Sequence, residues 1–146
     1  MFDVVYMVRS KLRILLIDDD RVYQFVSRKV IEDIGLAGDI ISFSNGEEAI
    51  KYLKDNLHNQ CSLPDVIFVD VNMPVMNGWE FLEAYDNMKH YLKKPQLIYV
   101  VSSSVDEIDI RRSHEFNTVK EYLVKPVVRE KFREVLSSMS LGLCIN

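Results

Sequence analysis

Short apolar runs alternate with amphipathic segments along this 146-residue chain, and this alternation restricts the possible folds more than any other feature. The apolar runs are too short for buried helices and predict strands at residues 12–17, 39–43, 66–69, 97–101 and 122–124. A segment with helical periodicity follows each run. The first of them ends before Gly35, a typical helix C-cap residue, and carries apolar residues at helical spacing, namely Val22, Phe25, Val26, Val30 and Ile34. Five strands interleaved with five helices predict an α/β fold, a doubly wound parallel sheet with helices on both faces.

The length fits one domain, and no repeat or linker divides the chain. We expect a single domain over residues 1–146, with a core at about 11–140, a short N-terminal extension at 1–10 and a C-terminal tail at 141–146. The last helix is predicted from Val127 to about Met139. This arrangement leaves no room for an attached output domain.

Composition excludes several classes of function. The formal net charge of −4 argues against direct nucleic-acid binding or binding to a membrane surface, which usually need a basic face. Cys61 and Cys144 can form neither a disulfide framework nor a zinc site, so we expect a reducing, cytoplasmic location. No apolar run approaches the roughly 20 residues that span a bilayer, and the first residues lack the order of a signal peptide.

Polar residues stand where the predicted strands end. The first strand is followed by Asp18 and Asp19, the third by Asp70, the fourth by Ser102 and the fifth by Lys125. Because open parallel sheets carry their sites beyond the carboxyl ends of the strands, we expect these side chains to meet in one crevice. Three carboxylates repel one another unless a cation lies among them, and a hard, oxygen-preferring ion such as Mg²⁺ fits that role. The hydroxyl and the ammonium add donors, so the crevice suits a transferring phosphoryl group.

Four segments carry a family resemblance: LLIDDD, VDVNMPVMNGWEFL, VVSSS and EYLVKP. They resemble the signatures of response-regulator receiver domains, occur in the order of that family and together cover about residues 12–138. The D-x-N-M-P-x-x-N-G loop is the most specific of the four. The resemblance implies the flavodoxin-like receiver fold with strand order 2-1-3-4-5, and a stand-alone receiver of two-component signalling.

The resemblance also implies a role for each matching residue. Asp70 is expected to accept a phosphoryl group, with Lys125 and Ser102 binding its oxygens. Mg²⁺ is expected at Asp18, Asp19 and Asp70, together with the backbone carbonyl of Asn72. Ser102 and Tyr122 are expected to form the switch, with Tyr122 turning inward when Ser102 moves. Two further expectations concern local structure: a cis peptide bond before Pro126, and Asp20 as the N-cap of the first helix instead of a metal ligand.

The resemblance implies partners as well. A sensor histidine kinase or a phosphotransfer protein would supply the phosphoryl group, and a downstream protein would read the switch. A homodimer through the face of the fourth helix, fifth strand and fifth helix is compatible with this picture. Self-catalysed phosphotransfer to Asp70 and autodephosphorylation are then the whole of the chemistry, so the protein is expected to be a signalling switch and not an enzyme.

Three other functions remain open at this point. A phosphatase of the haloacid-dehalogenase type also uses a nucleophilic aspartate with Mg²⁺, but it needs an acid-base aspartate where this chain has Asn72. A flavodoxin-like electron carrier would share the fold, but the aspartates after the first strand would repel a flavin phosphate. A binding-only adaptor could keep the fold without ever being phosphorylated.

Overall fold

Five parallel strands form the centre of the computed structural model, which describes residues 11–145. The strands are β1 (Leu12–Ile17), β2 (Ala37–Phe43), β3 (Val66–Asp70), β4 (Leu97–Ser102) and β5 (Val119–Val124). They pair in the order β2-β1-β3-β4-β5, and every pair is parallel. The predicted fold class and strand order are therefore confirmed. The N-terminal extension predicted for residues 1–10 lies outside the described residues.

Five α-helices connect and follow the strands. They are α1 (Arg21–Ile34), α2 (Gly46–Asp55), α3 (Gly78–Met88), α4 (Glu107–Ser113) and α5 (Arg129–Ile145). A short 3₁₀ helix, Lys89–Tyr91, extends α3 in the long connection to β4. The helix α5 continues well beyond Met139, so most of the segment predicted as a tail is helical. None of the helices between residues 11 and 145 combines the length and the apolar character that crossing a bilayer requires.

Two hydrophobic cores lie on opposite faces of the sheet. Successive side chains of a strand point to opposite faces, so β3, which is buried along its whole length, contributes to both. Ile67 and Val69 pack with side chains of α2 and α3 in one core. Val66 and Phe68 pack with side chains of α1 and α5 in the other. Burial on both faces explains why the central strands read as nearly continuous apolar runs.

The helix α1 forms where the sequence predicts it, but the face that packs on the sheet differs from the predicted apolar stripe. Val22, Phe25 and Val26 are 73%, 62% and 53% exposed. The buried positions are Ser27 and Ile31. The residues that face the sheet follow a register of three and four along the helix: Tyr23, Ser27, Val30, Ile31 and Ile34.

The outer edge of β2 is contacted by a side chain of α1. The amide of Asp18 donates to the carbonyl of Phe43, so that carbonyl points towards β1. Carbonyl directions alternate along a strand, and the carbonyl of Ile40 therefore points away from β1, to the open edge. The guanidinium of Arg28 donates to this carbonyl at 2.8 Å and to the hydroxyl of Ser42 at 2.6 Å. A charged side chain thus satisfies backbone at an edge that no other strand between residues 11 and 145 covers.

Candidate functional site

Three carboxylates meet at the carboxyl ends of two neighbouring strands. Asp18 follows β1 directly, Asp70 is the last residue of β3, and these strands are paired. One carboxylate oxygen from each of Asp18, Asp19 and Asp70 lies within 4.8 Å of the others. Asp18 and Asp70 are buried and Asp19 is exposed, so the acidic pocket opens to solvent on one side.

Lys125 brings an ammonium into this pocket from the end of β5. Its Nζ lies 2.7 Å from Oδ2 of Asp18 and 3.5 Å from Oδ1 of Asp70. The backbone amide of Lys125 donates to the carbonyl of Ser102 at 2.8 Å, which ties the end of β5 to the end of β4. The peptide bond between Lys125 and Pro126 is cis, as the sequence predicted.

Burial and excess negative charge together set the electrostatics of the pocket. Burial, and then the nearby charge of Asp18, raise the pKa of Asp70 from 3.8 to about 6, although Lys125 acts in the opposite direction. Burial acts to lower the pKa of Lys125, but its hydrogen bond to Asp18 and the charges of Asp70 and Asp18 outweigh this and leave the pKa above its ordinary value. Lys125 is therefore cationic at neutral pH and only partly balances the carboxylates.

The donor set of the pocket fits a hard divalent cation. All three cluster ligands are carboxylate oxygens, which Mg²⁺ and Mn²⁺ prefer. Three carboxylates and one ammonium leave a charge of about −2, which a divalent ion would neutralise. Asn72, the fourth predicted ligand through its carbonyl, lies two residues beyond Asp70 and is exposed. The acidic pocket is thus a candidate site for a divalent metal.

Ser102 and Tyr122 are linked through the loop after β4. Ser102 is the last residue of β4 and has no exposed surface, and its hydroxyl accepts a hydrogen bond from the amide of Ser104 at 3.1 Å. The hydroxyl of Tyr122 donates to the carbonyl of Ser104 at 2.8 Å, and its half-buried ring packs against the core beneath α3. Any movement of Ser102 towards a group on Asp70 would therefore disturb the segment that holds Tyr122.

The first turn of α1 is positioned by Asp20. Its carboxylate accepts hydrogen bonds from the amides of Val22 and Tyr23, both at 3.0 Å, which confirms Asp20 as the helix N-cap. The cap turns the following residues over the strand ends. Gln24 donates from one amide nitrogen to the carbonyls of both Asp18 and Phe43, and so joins the ends of β1 and β2.

Tyr23 is a residue of the site that the sequence reasoning missed. The centroid of its ring lies 4.2 Å from Nζ of Lys125, within the range of a cation–π contact. Burial raises the pKa of its phenol, with the Ser27 hydroxyl acting in the opposite direction, so the ring is neutral at physiological pH. An N-cap at Asp20 places residue 23 one turn into the helix, over the strand ends, and this spacing was the available signal.

The loop after β3 is held by a strained turn and a close backbone approach. The amide of Met76 donates to the carbonyl of Pro74, which closes a three-residue γ-turn around Val75 at φ +67°, a conformation unusual for a β-branched residue. At Gly78 the backbone packs so closely on Asp70 and Val71 that an added Cβ would overlap the Asp70 carbonyl oxygen. Asn77 and Glu80 form a reciprocal capping box that starts α3. The helix start is thereby fixed against the backbone of Asp70.

This fold and this site together define a class: an α/β domain whose acidic pocket lies at the carboxyl edge of its parallel sheet. The family model described as the response regulator receiver domain matches residues 14–137, and the chain belongs to this family. It is therefore a receiver domain, the signalling switch of two-component systems. The family assignment made from the four sequence segments is confirmed.

Known relatives and structures agree with this family. The chain is 27% identical to the probable methanogenesis regulatory protein FilR2 of Methanothrix harundinacea, over 86% of this chain and 79% of that protein. It is 29% identical to the two-component response regulator ORR41 of Oryza sativa subsp. japonica, over 93% of this chain and the whole of that protein. It also matches the sensor histidine kinase CheAY of Helicobacter pylori, 29% identical over 84% of this chain, but there it spans only 14% of the longer protein.

Two solved structures are similar to the whole fold. A two-component response regulator from Cytophaga hutchinsonii has a TM-score of 0.80 and 28% identity, with 90% of this chain and 98% of that chain covered. The Mn²⁺-bound form of the response regulator Rcp1 has a TM-score of 0.69 and 25% identity, with 90% of this chain and 94% of that chain covered. A relative with the same fold therefore binds a divalent metal.

Proposed function

We propose that Asp70 is the phosphoryl acceptor of this receiver, and that a histidine kinase or a histidine-containing phosphotransfer protein is the donor. The observation that carries the proposal is the meeting of a buried Asp70 with two further carboxylates and the ammonium of Lys125 at one edge of the sheet. With a pKa of about 6, Asp70 is mainly ionised at neutral pH and can act as a nucleophile.

The chemistry follows from the groups around Asp70. A carboxylate oxygen of Asp70 attacks the phosphorus of the donor phosphohistidine, in line with the bond to the imidazole nitrogen. The P–O bond forms as the P–N bond breaks, and the products are an aspartyl phosphate and the free imidazole of the donor. Lys125 lies 3.5 Å from Asp70 and neutralises charge on the phosphoryl oxygens. Ser102 donates its hydroxyl to one of them.

Asp18, Asp19, Asp70 and the carbonyl of Asn72 would hold Mg²⁺, which when bound supplies positive charge to the transferring phosphoryl group. Asp18 would keep one oxygen for Lys125, as it does now at 2.7 Å. Asp19 is the exposed member of the cluster and would be the first to meet an ion from solvent.

The phosphorylation signal would be passed on through a change in the surface of the domain. An aspartyl phosphate carries a charge of about −1.5 to −2 in place of the single negative charge of the Asp70 carboxylate, and it attracts Ser102 and Lys125. Ser102 and Tyr122 are joined through Ser104, so the shift reaches β5 and its neighbours α4 and α5. A downstream protein, or a second copy of this chain, would bind the remodelled face of α4, β5 and α5. Phosphorylation can only bias states that the domain already samples.

The test is intact-protein mass spectrometry after incubation with acetyl phosphate and Mg²⁺. The wild-type protein is expected to gain one phosphoryl group, and Asp70→Asn is expected to gain none. The matched control is Asp20→Asn, which neutralises a neighbouring aspartate but retains a good N-cap residue, and it is expected to be modified like the wild type. An excess of chelator is expected to prevent the reaction.

The same experiment separates the other functions. Unchanged modification of Asp70→Asn would refute the assignment of the acceptor. No modification of the wild type, together with no response to Mg²⁺ or beryllofluoride, would favour the binding-only adaptor. Steady release of phosphate from a phosphate monoester would favour a phosphatase, although Asn72 cannot carry the proton that such an enzyme needs.

A further inference from the structure

The ammonium of Lys125 is held on three sides, and only two of them are charged. Oδ2 of Asp18 lies at 2.7 Å and Oδ1 of Asp70 at 3.5 Å. The third side is the face of the Tyr23 ring, whose centroid lies 4.2 Å away. The same ring lines a small, mainly apolar cavity that also reaches Asp18 and Asp70, so it adjoins these two carboxylates as well as the lysine.

The ring contact differs in kind from the two ion pairs. Lysine is a point charge on a flexible four-carbon stem, and it follows the nearest negative charge. The attraction of Asp18 and Asp70 depends on the charge of the pocket, which must change whenever a proton, cation or phosphoryl group arrives. The attraction of the aromatic face comes from the fixed quadrupole of the ring and does not depend on these events. Tyr23 can therefore hold the ammonium in place while its ionic partners change.

The position of Tyr23 is fixed independently of Lys125. Its backbone amide donates to the N-cap carboxylate of Asp20, and its ring packs at the edge of the core between α1 and α5. The neighbouring Gln24 anchors the same turn to the ends of β1 and β2. A contact built on a rigid turn can restrain a flexible lysine.

We propose that Tyr23 is a positioning residue for phosphoryl acceptance, which holds Lys125 beside Asp18 and Asp70 through the face of its ring. The proposal rests on the proposed function of Asp70 and Lys125, and it adds a residue that acts through Lys125 without touching the phosphoryl group. It predicts that the aromatic face matters, and that the hydroxyl does not.

The first test is structural and needs neither metal nor phosphoryl donor. Protons that lie over an aromatic face are shielded, so in chelator the Lys125 side-chain Hε resonances are expected upfield of those of exposed lysines. The shift is expected to persist in Tyr23→Phe and to vanish in Tyr23→Leu. An unshifted Lys125 in the wild type would overturn the contact.

The second test measures the rate of modification by acetyl phosphate at saturating Mg²⁺. A cation–π contact of ordinary strength predicts a loss of about threefold to tenfold in Tyr23→Leu and less than about twofold in Tyr23→Phe. Phenylalanines with increasing numbers of ring fluorines keep the shape but weaken the quadrupole, and the rate is expected to fall stepwise along that series. A rate that does not respond to fluorination would overturn the proposal, even if Tyr23→Leu is slow or unstable.

The matched control is Phe25→Leu, the same change of an aromatic residue on the same helix. Phe25 is 62% exposed, its ring centroid lies 5.7 Å from Nζ of Lys29, and it does not line the cavity beside Asp18 and Asp70. The rate at which acetyl phosphate modifies Phe25→Leu is expected to equal that of the wild type. Failure of the two proposals can be told apart: an unmodified wild-type protein refutes the role of Asp70, whereas normal modification of Tyr23→Leu refutes only the role of Tyr23.

Discussion

Replacing Asp70 with asparagine is expected to stabilise the metal-free protein at neutral pH. Asp70 is 7% exposed, and its pKa of about 6 lies above its ordinary value of 3.8 because of burial and the charge of Asp18. Keeping the carboxylate ionised in the folded state therefore costs about 3 kcal/mol relative to the unfolded chain. Asparagine keeps the shape without the charge, so the gain in the free energy of unfolding is expected to be about 2 to 3 kcal/mol at pH 7.5.

The gain in the free energy of unfolding of Asp70→Asn must depend on pH in a defined direction. A group whose pKa is raised by folding contributes stability below its unfolded pKa and loses it as the pH rises through the folded pKa. The advantage of Asp70→Asn is therefore expected to be less than about 1 kcal/mol at pH 4, to grow between pH 4 and about 6, and to stay constant above that.

Urea unfolding in chelator, followed by circular dichroism at pH 4, 5, 6 and 7.5, measures these differences. The control is Asp55→Asn, an exposed carboxylate paired with Lys51 on α2, which is expected to change stability by no more than about 0.5 kcal/mol. Added Mg²⁺ is expected to stabilise the wild type more than Asp70→Asn, because it binds the folded carboxylates. A destabilised Asp70→Asn, or a gain that is the same at pH 4 and 7.5, would refute the electrostatic reasoning.

Two further predictions concern the loop after β3. Gly78→Ala places a Cβ against the carbonyl oxygen of Asp70, so we expect a loss of about 2 kcal/mol in urea unfolding and slower modification by acetyl phosphate; unchanged stability and rate would contradict the close approach. Val75→Gly relieves a positive φ of 67° on a β-branched residue that is 72% exposed, so we expect a gain of about 1 kcal/mol by thermal or urea unfolding. A loss of stability in Val75→Gly would mean that the turn is not strained.

The fold could be predicted from the sequence because its signals are redundant. The strand β3 is buried on both faces, and an unbroken apolar run is what such a strand requires. The meeting of Asp18, Asp70 and Lys125 follows from the same pattern, since parallel strands end at one edge of the sheet. Topology therefore places residues 52 and 107 positions apart, as these are, within reach of one another.

Features that depend on tertiary contacts were not predictable. The apolar spacing of Val22, Phe25 and Val26 suggested a core-facing stripe, but Ile31 and Ser27 face the sheet because the N-cap at Asp20 sets the rotation of α1. The predicted fifth strand omitted the first three residues of β5 because two of them are polar. An edge strand tolerates exposed side chains such as Lys120. The boundaries of α4 and α5 likewise depend on packing and not on local pattern.

The positive φ of Val75 opposes the local preference of valine, and no sequence rule predicts it. It is imposed by the neighbours of the turn: the carbonyl of Met76 accepts from the amide of Gly46, and the amide of Gly78 donates to the carbonyl of Val71. Backbone hydrogen bonds thus hold both ends of the loop, and the positive φ of Val75 lets the chain connect them.

The hydrogen bonds of Arg28 at the edge of β2 bear on aggregation of this protein at high concentration. An intruding strand from a neighbouring molecule would have to displace two charge-assisted hydrogen bonds, to Ile40 and Ser42, before it could lengthen the sheet beyond β2. The Arg28 side chain thereby opposes strand addition, and so aggregation, at the β2 edge of the sheet. The β5 edge lies on the opposite side of the sheet, where Arg28 does not block the binding of a partner.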